Sequence, residues 1–338
     1  MKVGWRGALG ILLSALLLWW TLRGVDLRDV WRVLSNSSIG LWAACTVAAT
    51  AIFPLRARRW EALLVPIAGR LSFSPLWQST AVGMMMNNVV PARAGEFARA
   101  FALSRAEPRV KFTAAFASLA VDRLFDGAVV LLLMIVAMLD PAFAAHSANG
   151  NATLLLSMRW FALFLALVLA VLVFIVFAPQ RVYAVYDAVM GRVAPRLAPK
   201  GRHLLEGFAS GLDVLRSPRL VAEVFFWTVL HWLCNALAFW FGFKALGLEV
   251  PATAAFLLQG IIAFSVAVPS SPGFFGLFEA GGRIGLGLYG VGQAQAVSWA
   301  LGFHVLSYIP ITVMGSWYLS KLHLHFKDFR GASEAPPA

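Results

Sequence analysis

Apolar residues gather in six blocks long enough to cross a bilayer, at about 7–22, 39–55, 112–139, 160–178, 220–243 and 292–319. Two further stretches, 74–103 and 253–290, are just as apolar but are interrupted by proline and glycine. The first contains "MMMNNVVPARAGEFARAFAL" and the second "VAVPSSPGFFGLFEAGGRIGLGL". Each predicts a helix that stops at a proline, turns through small residues and restarts. The expected fold class is an all-α integral membrane protein, with about six full transmembrane helices plus two Pro/Gly-broken re-entrant helical hairpins. Residues 1–325 form one polytopic membrane domain in this reading, and 326–338 form a disordered tail.

The two broken stretches share an order of features. Each has a glutamine, an apolar run, Pro-x-x-x-Gly and then an acid: Pro91, Gly95, Glu96 in one and Pro269, Gly273, Glu279 in the other. Oppositely oriented copies with interrupted helices would form an inverted repeat with a substrate site between them at mid-depth. The competing reading is chance similarity between two apolar, glycine-containing hairpins.

Composition agrees with a membrane location. Of the 338 residues 60% are hydrophobic and 13% charged, with mean hydropathy +0.76, and a soluble domain would carry roughly twice that charged fraction. The net charge of +12 is informative through its placement. With the N-terminus in the cytoplasm, 21 of the 28 basic residues fall on inside segments, among them Arg56, Arg58 and Arg59 in a loop after the second block. Both termini are then cytoplasmic and the expected home is the inner membrane of a bacterium. The count does not distinguish re-entrant hairpins from tight helical pairs. The first block lacks a small-x-small cleavage site and is read as a retained span rather than a signal peptide. The 180–216 loop carries two amphipathic patterns with interleaved Arg and Lys, suited to helices on the cytoplasmic face. A shorter pattern over 25–34 suits the outer face. Cys45 and Cys234 lie far apart in apolar runs and read as buried small hydrophobes.

Candidate chemistry lies where charge enters apolar sequence. In "DRLFD", Asp122 and Asp126 share a helix face and Arg123 can reach back to them. Ionised groups at mid-span cost several kcal/mol and commonly line a pathway; an internal staple is the competing reading. In "NNVVPARAGEFAR", Asn87, Asn88 and Pro91 precede a helix start near Gly95, where free N–H groups with Arg93 and Arg99 would favour an anion such as phosphate, beside Glu96. In "PSSPGFFGLFEAGGR", Pro269 and Pro272 break the helix, Gly273 permits a turn, and Glu279 can pair with Arg283 four residues on. His231 with Asn235, and His304 with Tyr308, are one turn apart and are cavity-lining candidates or hydrogen-bonded core groups.

In order and spacing, "NNVVPARAGEFARA", "DRLFDG" and "PSSPGFFGLFEAG" resemble the three signatures of the lysylphosphatidylglycerol synthase transmembrane-region family. Where that family often has a second glycine after Pro-Gly, this chain has Phe274. The resemblance implies a flippase-like domain that moves a lipid between leaflets, standing here without the cytoplasmic synthase part. It leaves open whether the lipid is an aminoacyl-phospholipid, a hopanoid or a polyprenyl-phosphate-linked sugar. The expectation is a translocase for a polar-headed, phosphate-bearing lipid rather than an enzyme, with no cofactor, no metal and no nucleic-acid partner. Lipid-biosynthesis enzymes on the cytoplasmic face are its conceivable protein partners. Two rivals stand beside it: a membrane-embedded transferase whose Asp122 and Asp126 hold a divalent metal, and a non-catalytic scaffold of a lipid pathway.

Overall fold

The computed structural model describes residues 5–90, 94–146, 178–195, 197–267, 271–325 and 328–329, with scattered helical positions between 156 and 177. Every regular element among the described residues is helical. The chain opens with α1 (Trp5–Leu22) and a short amphipathic α2 (Leu27–Ser35), whose start is capped by the Asp26 carboxylate.

Two segments of like order then follow. The first is α3 (Ile39–Ala68), α4 (Phe73–Val89), α5 (Gly95–Ala106) and α6 (Phe112–Met138). The second, after α7 (Pro141–His146), α8 (Pro179–Val193) and α9 (Ala198–Ser210), is α10 (Pro218–Ala245), α11 (Ala254–Ser265), α12 (Leu277–Gly287) and α13 (Gln293–Lys321). Their lengths run 30, 17, 12 and 27 residues in one and 28, 12, 11 and 29 in the other. Each segment is thus a long helix, two short ones around a break, and a long helix. The short helices rise about 16–26 Å at 1.5 Å per residue, less than a hydrocarbon core of roughly 30 Å.

Helices α3, α10 and α13 are both long and apolar enough to cross a membrane, so the protein is a multi-pass helical membrane protein. The span expected at 160–178 is described only at scattered positions, and those positions are helical up to 177. The block expected to end at 55 instead continues as α3 to Ala68, through Pro54 and Pro66. Arg56 and Arg59 are therefore inside a helix of the bundle rather than in a loop. A buried charge is tolerated where a partner waits for it, and those partners are on α6.

Helices α3 and α10 pack antiparallel along their length. Ser38 N–H donates to the Ala245 carbonyl at 2.9 Å at one end, and Arg70 clasps Glu223 through two 2.8 Å bonds at the other. Around this pair the contacts cross over. Helix α4 runs beside α13, with Trp77 Nε1 donating to Tyr318 Oη at 3.0 Å and Asn88 Nδ2 to Thr312 Oγ1 at 2.7 Å. Helix α11 runs beside α6, where Gly260 leaves room for Met134. The turn at Pro272–Phe274 after α11 packs against α4, and Tyr308 Oη donates to the Asn88 carbonyl at 3.2 Å beside it. Helix α9 packs on the start of α6, the end of that helix near α3's C-terminus. The tail expected to be disordered lies mostly outside the described residues, but Phe329 within it is buried, its ring 5.2 Å from that of Phe101.

Candidate functional site

The charged turn of α6 is met from three other helices. Arg59 of α3 brings Nε to 2.6 Å from Asp122 Oδ1 and Nη1 to 2.6 Å from Asp126 Oδ1. Arg99 of α5 places Nη1 3.5 Å from Asp122 Oδ2 and lays its guanidinium 4.1 Å over the Trp60 ring. Trp232 Nε1 of α10 donates to Asp126 Oδ1 at 2.9 Å. Arg123 donates to Asp126 Oδ2 at 3.1 Å and to Glu96. Arg56 stands 4.0 Å from Asp122 Oδ2. Four arginines thus meet three carboxylates, leaving one positive charge in surplus when all are ionised. Asp122, Arg123 and Asp126 by themselves carry one surplus negative charge, which the two arginines of α3 reverse.

The cluster has a dry side and a wet side. Arg59, Arg99 and Asp122 have no accessible surface. Arg56, Glu96, Arg123 and Asp126 line a cavity of about 770 Å³. Arg99, expected beside a headgroup, sits behind that wall. Arg56 lines the cavity, and its Nε and Nη2 are buried without a hydrogen-bond acceptor among the described residues, Nη2 lying on the side of Asp122.

The first break forms a close crossing of α4 and α5. A Cβ on Gly95 would lie 2.1 Å from the Gly83 carbonyl oxygen, so only glycine fits. The Gly95 N–H, expected to be free for an anion, already donates to Asn87 Oδ1 at 2.8 Å; the asparagine caps the helix itself. Pro91 and Arg93 lie outside the described residues.

The second break holds Gly273 and Phe274 with φ of 69° and 61°. The left-handed conformation costs a side-chain-bearing residue about 1–2 kcal/mol, which accounts for the preference for a second glycine at the position of Phe274. Glu279 is fully buried, accepts from the Gly276 N–H at 2.6 Å through Oε2, and meets His304 Nδ1 at 2.5 Å through Oε1. His304 Nε2 lies 2.8 Å from the Gly273 carbonyl. The expected Glu279–Arg283 pair is absent. Arg283 instead donates to the carbonyls of Trp20 and Thr21 at 2.7 Å and to Gln293 Oε1 at 2.8 Å. It satisfies the orphan carbonyls at the end of α1, where a cation is favoured. Pro272 begins the short turn and Pro269 lies outside the described residues.

Between the breaks the cavity wall is amide-rich and aromatic. His231, Asn235, His304 and Tyr308 all line it, as do Asn87 and Asn88. Asn235 Nδ2 donates to Gln259 Oε1 at 3.1 Å. Sequence reasoning missed Arg56, Arg59, Trp232 and Gln259. A signal for the two arginines was present, since "WEALLVPIA" after Arg59 resumes the apolar run.

Residues 7–315 match the family described as Lysylphosphatidylglycerol synthase TM region. A 117-residue stretch, 35% of this chain, is 33% identical to the glycosyltransferase AglD of Haloferax volcanii and spans 19% of that protein.

Proposed function

The chain belongs to the lysylphosphatidylglycerol synthase TM-region family, and from its membership, which indicates a membrane lipid-related function, we propose that it moves a polar-headed, phosphate-bearing lipid between leaflets. Arg56 carries this reading: its guanidinium, with two buried donors that have no hydrogen-bond acceptor among the described residues, lines a cavity backed by a cluster that is one positive charge in excess. Arg123 stands beside it on the same wall, so a phosphate would meet two cations. Glu96 and Asp126, with the amides of Asn87, Asn88 and Asn235, would receive amine or hydroxyl groups of the headgroup. The apolar remainder of the lining suits acyl or prenyl chains near the opening.

The matching order of helix lengths in the two segments, and the crossed packing of α4 with α13 and α11 with α6, support an inverted repeat with re-entrant breaks. A metal-held transferase would need Asp122 and Asp126 free, and both are engaged by Arg59.

The test is headgroup accessibility in reconstituted vesicles containing NBD-labelled phosphatidylglycerol, read by dithionite quenching. The protein should speed exchange between leaflets, and Arg56→Gln should slow it at least tenfold while the fold is retained. Equal rates for protein-containing and empty vesicles, with this probe and with a prenyl-phosphate sugar, would overturn the reading.

A further inference from the structure

The two breaks are fastened in equivalent ways. In the first segment Glu96, in the first turn of α5, pairs with Arg123, eleven residues past Phe112 on α6. In the second, Glu279, in the first turn of α12, pairs with His304, eleven residues past Gln293 on α13. Both basic residues therefore sit about 17 Å along their helices, and both acids anchor the restart of a short helix. One fastening uses a cation that keeps its charge at any physiological pH, and the other uses imidazole, which does not.

We propose that the His304–Glu279 pair is a proton-binding latch, holding the turn from Gly273 to Gly276 when it carries the proton and releasing that turn when the proton leaves. The hydrogen-bond geometry calls for two protons on the pair. Carbonyl oxygen only accepts, so His304 Nε2 must donate to Gly273. A second proton must lie in the 2.5 Å contact between Nδ1 and Glu279 Oε1. Loss of one proton leaves a neutral imidazole with one N–H and a carboxylate. Whichever nitrogen keeps its proton, the other then faces an acceptor lone pair to lone pair, and one side of the latch is lost. Through Gly273 and the Gly276 N–H, that side is the turn itself.

The surroundings leave the pair to answer for itself. On α13 the neighbouring titratable group is Tyr308, its ring 6.3 Å from the imidazole and its hydroxyl bonded to Asn88. Helices α4 and α11 carry no acid or base, α1 carries Arg6 alone, and Arg283 on α12 is turned to the end of α1. Across the cavity stand Arg56, Glu96, Arg123, Asp126 and a second imidazole, His231, beside Asp126. His304 lines the same cavity, so the proton has an exit. The latch rests on the translocase reading and deepens it by giving it a coupling ion, a proton, at one of the two fastened helix restarts.

The experiment is hydrogen exchange of the full-length protein in lipid nanodiscs between pH 5 and 9, with no transported lipid. The ratio of exchange in 272–277 to that in 94–98 cancels the intrinsic effect of pH on amide chemistry. The ratio should be flat at the acid end and rise at least tenfold toward pH 9. His304→Arg, which copies the other fastening, and Glu279→Gln should each keep it flat. A flat ratio in the unaltered protein, or the same rise in a folded variant of either kind, would overturn the latch. Lipid movement is not read, so translocation can fail while the latch holds, and the reverse.

Discussion

Arg59 Nη1 lies 2.6 Å from Asp126 Oδ1, joining residues 67 apart in the chain within the bundle. Removing one member of a buried pair strands the other, at a cost of about 3–5 kcal/mol. Arg59→Leu should therefore lower the thermal midpoint in detergent sharply. Arg56→Leu, whose nearest carboxylate oxygen is 4.0 Å away, should cost clearly less than Arg59→Leu, because it strands no closely paired carboxylate. Similar losses for the two variants would mean that the cluster does not divide into a structural side and a ligand-facing side.

Gly95 is where α5 touches the backbone of α4. A methyl group there would stand 2.1 Å from the Gly83 carbonyl oxygen and 2.4 Å from Asn87 Cγ. Gly95→Ala should cost at least about 1–3 kcal/mol, as overpacking does, and should raise exchange throughout 84–98. Gly191→Ala on α8, with nothing within 4 Å, serves as the control and should be neutral or stabilising by under about 1 kcal/mol. Equal effects would show that the two helices do not cross at this point.

Arg283 binds the end of α1, not Glu279. Arg283→Met should loosen α1 by about 1.5–3 kcal/mol, the range for hydrogen bonds to charged groups, seen as faster exchange over 17–23. Because Arg283 and Glu279 share no partner, Arg283→Met and Glu279→Gln should add within about 0.5 kcal/mol in a double-mutant cycle. A coupling beyond that would restore the ion pair suggested by their spacing of four.

The breaks were legible in the sequence for local reasons. Pro272 and Gly273 restrict or free their own backbone, so no continuous helix passes through them whatever packs there, although α11 already ends at Ser265. The partners of Glu279 and Arg283 were not legible. A spacing of four permits a pair on one helix face, but His304 and the end of α1 offered shorter bonds from elsewhere in the fold.

By itself the sequence determined that this is a helical membrane protein with two interrupted apolar stretches, because hydropathy over a span and proline at a break act within a few residues. Tertiary structure alone decided which charges are spent and which remain open. The cost of a buried arginine depends on the carboxylate it meets: Arg59 closes on Asp122 and Asp126 of a helix 63 to 67 positions away, whereas Arg56, three residues earlier on the same helix, lines the cavity.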